Sequence, residues 1–155
     1  MSTIVVKRVG CFSRGHYIKL LDLNTYKVIN AEISDFVENY DYKKYRVWDT
    51  LSEGYVEILN VINNPETSNF YKVYYDQKFV VIVTEDHYFP ILGKGRTNVR
   101  DLQRGDQLYR SNSNLFATVT KVVKLTNFTA KSYCLETTSD RFDVNNIVSN
   151  SCRNC

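Results

Sequence analysis

The chain has 155 residues, a formal net charge of +3 and 43% hydrophobic residues, which suits one folded domain with its own core and argues against global disorder. Lys and Arg are scattered, and short basic stretches such as Lys43-Lys44-Tyr45-Arg46 sit beside acids, so the basic stripe of a nucleic-acid groove is missing. No apolar run approaches the ~20 residues of a membrane span and the N-terminus lacks a secretory core, so a monomeric, cytoplasmic protein that binds neither nucleic acid nor membrane is expected.

Tyr, Val, Ile, Thr and Phe recur in short period-two runs, which predicts an all-β domain of many short strands. In chain order these are Ile4–Val9, Tyr17–Asp22, Tyr55–Val61, Phe70–Tyr75, Phe79–Thr84, Phe116–Leu125 and Ser132–Thr137. Phe79 to Val83 is the longest apolar stretch and reads as a buried strand, and Asp76-Gln77 before it reads as a tight hairpin. Ala31–Tyr40 carries Ile33, Phe36, Val37 and Tyr40 at helical spacing, which predicts one short helix. Asn63 to Asn69 and Ser111 to Asn114 are loops by composition, and neither has room for an inserted domain.

Cys11, Cys134, Cys152 and Cys155 are too few and too unevenly spaced for a disulfide framework. Cys152-Arg153-Asn154-Cys155 is a C-x-x-C, yet zinc needs two further ligands, and His16 and His87 are the only histidines. No metal and no cofactor are expected. A disulfide from Cys11 to Cys152 or Cys155 is a possible redox lock if the chain ends meet.

Chemistry-bearing residues fall in four places. Cys11 directly follows the unhindered Gly10, and a thiol there can attack the preceding carbonyl and exchange amide for thioester. A cysteine entering a strand is more often a buried hydrophobe. Thr84-Glu85-Asp86-His87 closes the most apolar strand, bringing a hydroxyl and an imidazole to one end, where the imidazole can protonate a departing amide nitrogen. Asn98 to Leu108 contains a turn in which Val99 and Leu102 pack inward and Gly105-Asp106 reverses the chain; it reads as scaffold. Tyr133-Cys134-Leu135-Glu136 then leads to Val148-Ser149-Asn150-Ser151. An asparagine can cyclise on its own carbonyl, cut the chain and release the next residue as a free amine, although Asn150 alone reads more readily as a polar tail residue.

In this order and at this spacing, the four segments resemble the sequence blocks of an intein, of the hedgehog/intein (Hint) superfamily, over Cys11 to Asn150. The resemblance implies an all-β horseshoe with pseudo-twofold symmetry, one or two short helices and both junctions near its centre. It divides the chain into a flank, residues 1–10, a mini-intein without endonuclease, 11–150, and a second flank, 151–155. It implies autocatalytic, single-turnover splicing. Cys11 attacks Gly10 with help from Thr84 and His87, Ser151 takes the acyl group, Asn150 cyclises, and the chain's own flanks, its sole partners, are joined.

Three positions depart from the family pattern. Ser149 stands where a histidine usually assists cyclisation, so a water, Arg141 or Asp140 is expected to help. Cys134 stands where many inteins carry Asp; it is either a proton shuttle or a small core residue. His16 replaces a common Ser or Thr and reads as a surface or strand-face residue. Two rivals stay open: a Hint-type domain that cleaves without ligating, and a non-enzymatic β-barrel binding module.

Overall fold

The computed structural model describes residues 10–151; the expected strand Ile4–Val9 and the Cys152/Cys155 motif lie outside them. Within the described residues thirteen strands and one α-helix alternate with three single turns of 3-10 helix. The strands are β1 (Tyr17–Asp22), β2 (Val28–Glu32), β3 (Tyr45–Asp49), β4 (Gly54–Thr67), β5 (Phe70–Tyr75), β6 (Phe79–Thr84), β7 (Tyr88–Ile91), β8 (Gly95–Asn98), β9 (Gln107–Tyr109), β10 (Phe116–Lys124), β11 (Ala130–Thr137), β12 (Arg141–Val144) and β13 (Ile147–Asn150). One sheet runs β11-β4-β3-β1-β12-β13 with β2 also on β1, and the other runs β6-β5-β10-β9-β7-β8. The two sheets curl into half-barrels, giving the all-β horseshoe.

The six expected strands within the described residues form, five with bounds within two residues of those read from the pattern, whereas β4 runs six residues past Val61. Asp76 and Gln77 both have positive φ, 50° and 66°, the geometry of a two-residue hairpin turn. Helix α1, Ile33–Asn39, begins later than the periodicity suggests. Ala31 and Glu32 pair with Ile18 and Tyr17 as the end of β2, and the Glu32 carboxylate accepts from the Ser34 and Asp35 N–H groups as an N-cap.

Two expectations need correction. Residues 63–67 are strand, not loop: Asn63 and Asn64 pair with Tyr133 and Ser132 of β11. The register shifts between Ala130 and Ser132, opposite Pro65, so the proline falls at an irregularity where no ladder N–H is needed. Strand β6 is not buried throughout; Val81 and Val83 are fully enclosed whereas Phe79 is 39% exposed.

The core joins the sheets around Phe12, whose ring lies 4.6 Å from His87, 5.2 Å from His16 and 6.0 Å from Phe142, centroid to centroid. Phe12 exchanges backbone hydrogen bonds with Tyr133 in both directions, at 2.8 and 2.7 Å. Ser13 donates its N–H to Ile82 and Thr84 donates its own to the Cys11 carbonyl, at 3.1 and 2.9 Å. The segment from Cys11 to Ser13 is therefore stitched to β6 on one side and to β11 on the other, which fixes the nucleophile candidate between the sheets.

Candidate active site

Local sequence places the imidazole. After Thr84 the chain turns tightly, and the His87 N–H donates to the Thr84 carbonyl at 3.1 Å. That i to i+3 closure puts the two side chains of Thr-x-x-His on one side of the turn, as the spacing predicts. The His87 carbonyl in turn accepts from the Val99 N–H at 2.8 Å, so the 98–108 segment acts as the expected scaffold. Within it Val99 is fully buried and Leu102 nearly so, and Gly105 sits at φ 96°, where glycine is favoured.

Both partners reach the Gly10–Cys11 bond. Thr84 Oγ1 accepts from the Cys11 N–H at 2.9 Å, holding the nitrogen that any N–S exchange must release. His87 is 1% exposed. Burial depresses its pKa from 6.5 to about 3, and the Gly10 backbone beside it opposes that fall. The ring is thus neutral at physiological pH. Gly10 itself is required by packing. A Cβ on it would fall 2.3 Å from His87 Cα and 2.8 Å from the Asp86 carbonyl oxygen, both backbone atoms.

Cys11 is fully buried. Burial pushes its thiol well up, the neighbouring Cys134 thiol adds to the rise, and the Ser132 hydroxyl works against it. Cys134 thus lies beside Cys11 and is itself fully buried, the setting of a small core residue. Composition missed Asn64: its Nδ2 lies 3.3 Å from Cys11 Sγ and donates to it. Polar residues around a proline look like a loop, and only the pairing of β4 with β11 turns Asn64 toward the thiol.

The expected second junction, Asn150–Ser151, lies at the end of the β12–β13 hairpin, whose Asn145-Asn146 turn has φ 48° and 65°. Asn150 is opposite Arg141 in the ladder, and the Ser151 N–H donates to the Asp140 carbonyl at 2.8 Å, extending it. The Asn150 Oδ1 is buried with no hydrogen-bond partner among the described residues, so no such bond fixes the carboxamide through its oxygen. Ser149 is fully buried. Its hydroxyl donates to the Asn150 carbonyl at 3.0 Å and lies 2.6 Å from His87 Nε2.

Both helpers expected at this end lie across the ladder from it, Arg141 opposite Asn150 and Asp140 on the Ser151 N–H. The Arg141 guanidinium is drawn to Asp49, Nε to Oδ2 3.3 Å, and to the Ser52 hydroxyl, 3.2 Å. Asp140 offers its backbone carbonyl to Ser151. It is His87, distant in sequence, that reaches Ser149. His16 is not on the surface: it is 3% exposed, with Nδ1 donating to the Ser13 carbonyl at 2.7 Å and Nε2 accepting from the Ile82 N–H at 2.9 Å. Both ring nitrogens are committed to backbone, so the ring braces the segment behind Cys11.

Among the described residues no three His, Cys, Asp or Glu side chains are placed to hold a metal ion, and no helix is long and apolar enough to cross a membrane. The redox pairing of Cys11 with Cys152 or Cys155 falls outside the described residues; within them Cys11 and Cys134 are free thiols.

No protein-family model and no curated protein matches the sequence. The structure does match solved ones. The VidaL intein superposes with TM-score 0.75 at 13% identity, covering 94% of this chain and 99% of its own. A DnaB intein from Synechocystis sp. PCC 6803 gives 0.69 at 15%, covering 92% and 98%. A bacterial intein-like domain from Clostridium thermocellum gives 0.69 at 19%, covering 91% and 98%. The chain has the Hint fold of the inteins, at identities too low to carry function with it.

Proposed function

We propose that the chain is a mini-intein that excises residues 11–150 and joins 1–10 to 151–155 in one turnover. One observation carries the reading: the Gly10–Cys11 amide is held by Thr84 beside His87, and the same imidazole is hydrogen-bonded to the residue preceding Asn150. A binding module has no need of that convergence.

In the first step Cys11 Sγ bonds to the Gly10 carbonyl carbon and the Gly10–Cys11 C–N bond breaks. The thiol loses one proton and the Cys11 nitrogen gains one, so the exchange is proton-neutral. A neutral imidazole can accept the first and return the second; once protonated, a ring with the depressed pKa of His87 is a strong donor to the departing nitrogen. The Asn64 amide donates to Sγ and stabilises the negative charge that builds there. Ser151 Oγ then takes the acyl group from Cys11 as an ester. Asn150 Nδ2 attacks its own carbonyl carbon, the Asn150–Ser151 bond breaks, and the freed Ser151 amine captures the acyl group as an amide. Each exchange swaps one acyl bond for a nearby one, so proximity replaces an external energy source.

The test is intact mass spectrometry of the full chain incubated with reductant near neutral pH. Release of fragment 11–150 together with the joined peptide 1–10/151–155 is the expected result. Hydrolytic loss of 1–10 with no joined peptide would instead identify an autocleaving Hint domain. An unchanged mass would sink both.

A further inference from the structure

Ser149 stands where a proton donor to the Asn150 carbonyl is needed and where the sequence shows no titratable group. We propose that Ser149 is that donor, a catalytic residue that relays the His87 proton, so that one imidazole serves both ends of the segment. The inference rests on the splicing reading for its place in the sequence of steps, but its chemistry concerns the Asn150–Ser151 bond alone.

Geometry carries it. His87 Nε2 lies 2.6 Å from Ser149 Oγ, and the same hydroxyl donates to the Asn150 carbonyl oxygen at 3.0 Å. A hydroxyl has one proton to give. When it gives it to the carbonyl, Nε2 must be the protonated nitrogen and donate to Oγ. When it gives it to Nε2, the ring proton sits on Nδ1, a buried atom with no hydrogen-bond partner among the described residues. The ring cannot hold its single proton on both nitrogens, so only the first of the two tautomers lets Ser149 donate to the Asn150 carbonyl. His87 and Ser149 are both enclosed, so water does not compete for the chain of hydrogen bonds.

The step balances. Asn150 Nδ2 forms a bond to the Asn150 carbonyl carbon, and negative charge gathers on the carbonyl oxygen, where the Ser149 O–H meets it. The carbon–nitrogen bond to Ser151 breaks, the Ser151 nitrogen takes up one proton and Nδ2 releases one. No net proton enters, and Ser149 and His87 end as they began. The unpartnered Asn150 Oδ1 is consistent with a carboxamide that can turn its nitrogen toward the carbonyl.

The experiment reads the two junctions separately in the full chain. C-terminal cleavage is followed by mass in a Cys11→Ala background, where the first junction is silent, with and without Ser149→Ala. N-terminal release by dithiothreitol is followed in an Asn150→Ala background, again with and without Ser149→Ala. Loss of a positioned donor to a developing oxyanion is expected to slow C-terminal cleavage by about 100-fold and to slow dithiothreitol release by a clearly smaller factor, because His87 loses its Ser149 partner; an unchanged far-UV circular dichroism spectrum certifies the fold. Ser149→Thr, which keeps the hydroxyl, should retain C-terminal cleavage. An unchanged C-terminal rate, no C-terminal cleavage in the Cys11→Ala parent, or an equal slowing at both junctions would overturn the relay. Absence of dithiothreitol release from the Asn150→Ala parent would fail the splicing reading instead, leaving the C-terminal comparison intact.

Discussion

His87 Nε2 and Ser149 Oγ lie 2.6 Å apart although 62 positions separate them in the chain. This contact ties the turn after β6 to the end of β13, and so ties the Gly10–Cys11 amide to the Asn150 carbonyl through one ring and one hydroxyl. Neither side chain is exposed. A hydrogen bond that excludes water in this way is a strict geometric link, because a partner displaced from it leaves a buried polar group unsatisfied.

Gly10 should tolerate no side chain. A Cβ would meet His87 Cα and the Asp86 carbonyl at distances that only a backbone shift can relieve, and the shift would move the imidazole itself. Gly10→Ala is expected to slow thioester formation by at least roughly tenfold, since small displacements of reacting groups cost that much or more. Dithiothreitol-induced release of the N-terminal flank, timed by mass, measures it; a rate equal to the parent would refute the packing argument.

Asn64 should matter to the first step alone. Its amide donates to Cys11 Sγ, and a hydrogen bond to a charged group contributes about 1.5–3 kcal/mol. Asn64→Ala is therefore expected to slow N-terminal release roughly 10- to 100-fold at neutral pH. C-terminal cleavage in a Cys11→Ala background should be unaffected, and slowing of both would point to a general loss of structure.

Thr84 and His87 differ in reach. Thr84 accepts only at the first junction, whereas His87 borders both. Thr84→Ala is expected to suppress N-terminal release and spare C-terminal cleavage, while His87→Ala suppresses both. Parallel rate measurements on the two variants separate the roles, and C-terminal cleavage undiminished in His87→Ala would contradict the shared imidazole.

Stability should fall on mild acidification. The His87 pKa drops from 6.5 to about 3 on folding because burial disfavours its charge, and His16 shifts the same way for the same reason. Below pH 6.5 the unfolded chain takes up protons that the folded chain refuses, so stability is full above that pH and declines as pH falls toward 3. His87 alone accounts for about 2 kcal/mol between pH 6.5 and 5. The raised Cys11 thiol has the opposite sense: its contribution is full below the unfolded thiol pKa and is lost as pH rises past it. Urea unfolding midpoints at pH 7 and pH 5 test the first point, and His87→Gln should flatten the dependence.

The chemistry-bearing residues at the first junction were legible because each belongs to a local pattern. Gly10-Cys11 is a dipeptide, and Thr84-x-x-His87 is a single hydrogen-bonded turn whose spacing sets its geometry. The expected strands, the Asp76-Gln77 hairpin and the inward Val99 and Leu102 follow from period-two alternation and turn chemistry in the same way. Strands such as β7, β8 and β13, four residues each, carry too few side chains to show a period.

What composition and spacing determined, then, is the all-β class, and with the intein resemblance they singled out Cys11, Thr84, His87 and Asn150 as candidates. What only the tertiary structure decided is which groups meet across the sheets. Asn64 faces Cys11 because β4 pairs with β11, His16 is enclosed because Ser13 and Ile82 claim both its nitrogens, and His87 reaches Ser149 because the two half-barrels close on Phe12. Each depends on long-range strand pairing, which is set by the burial of a shared core and leaves no trace in the spacing of neighbouring residues.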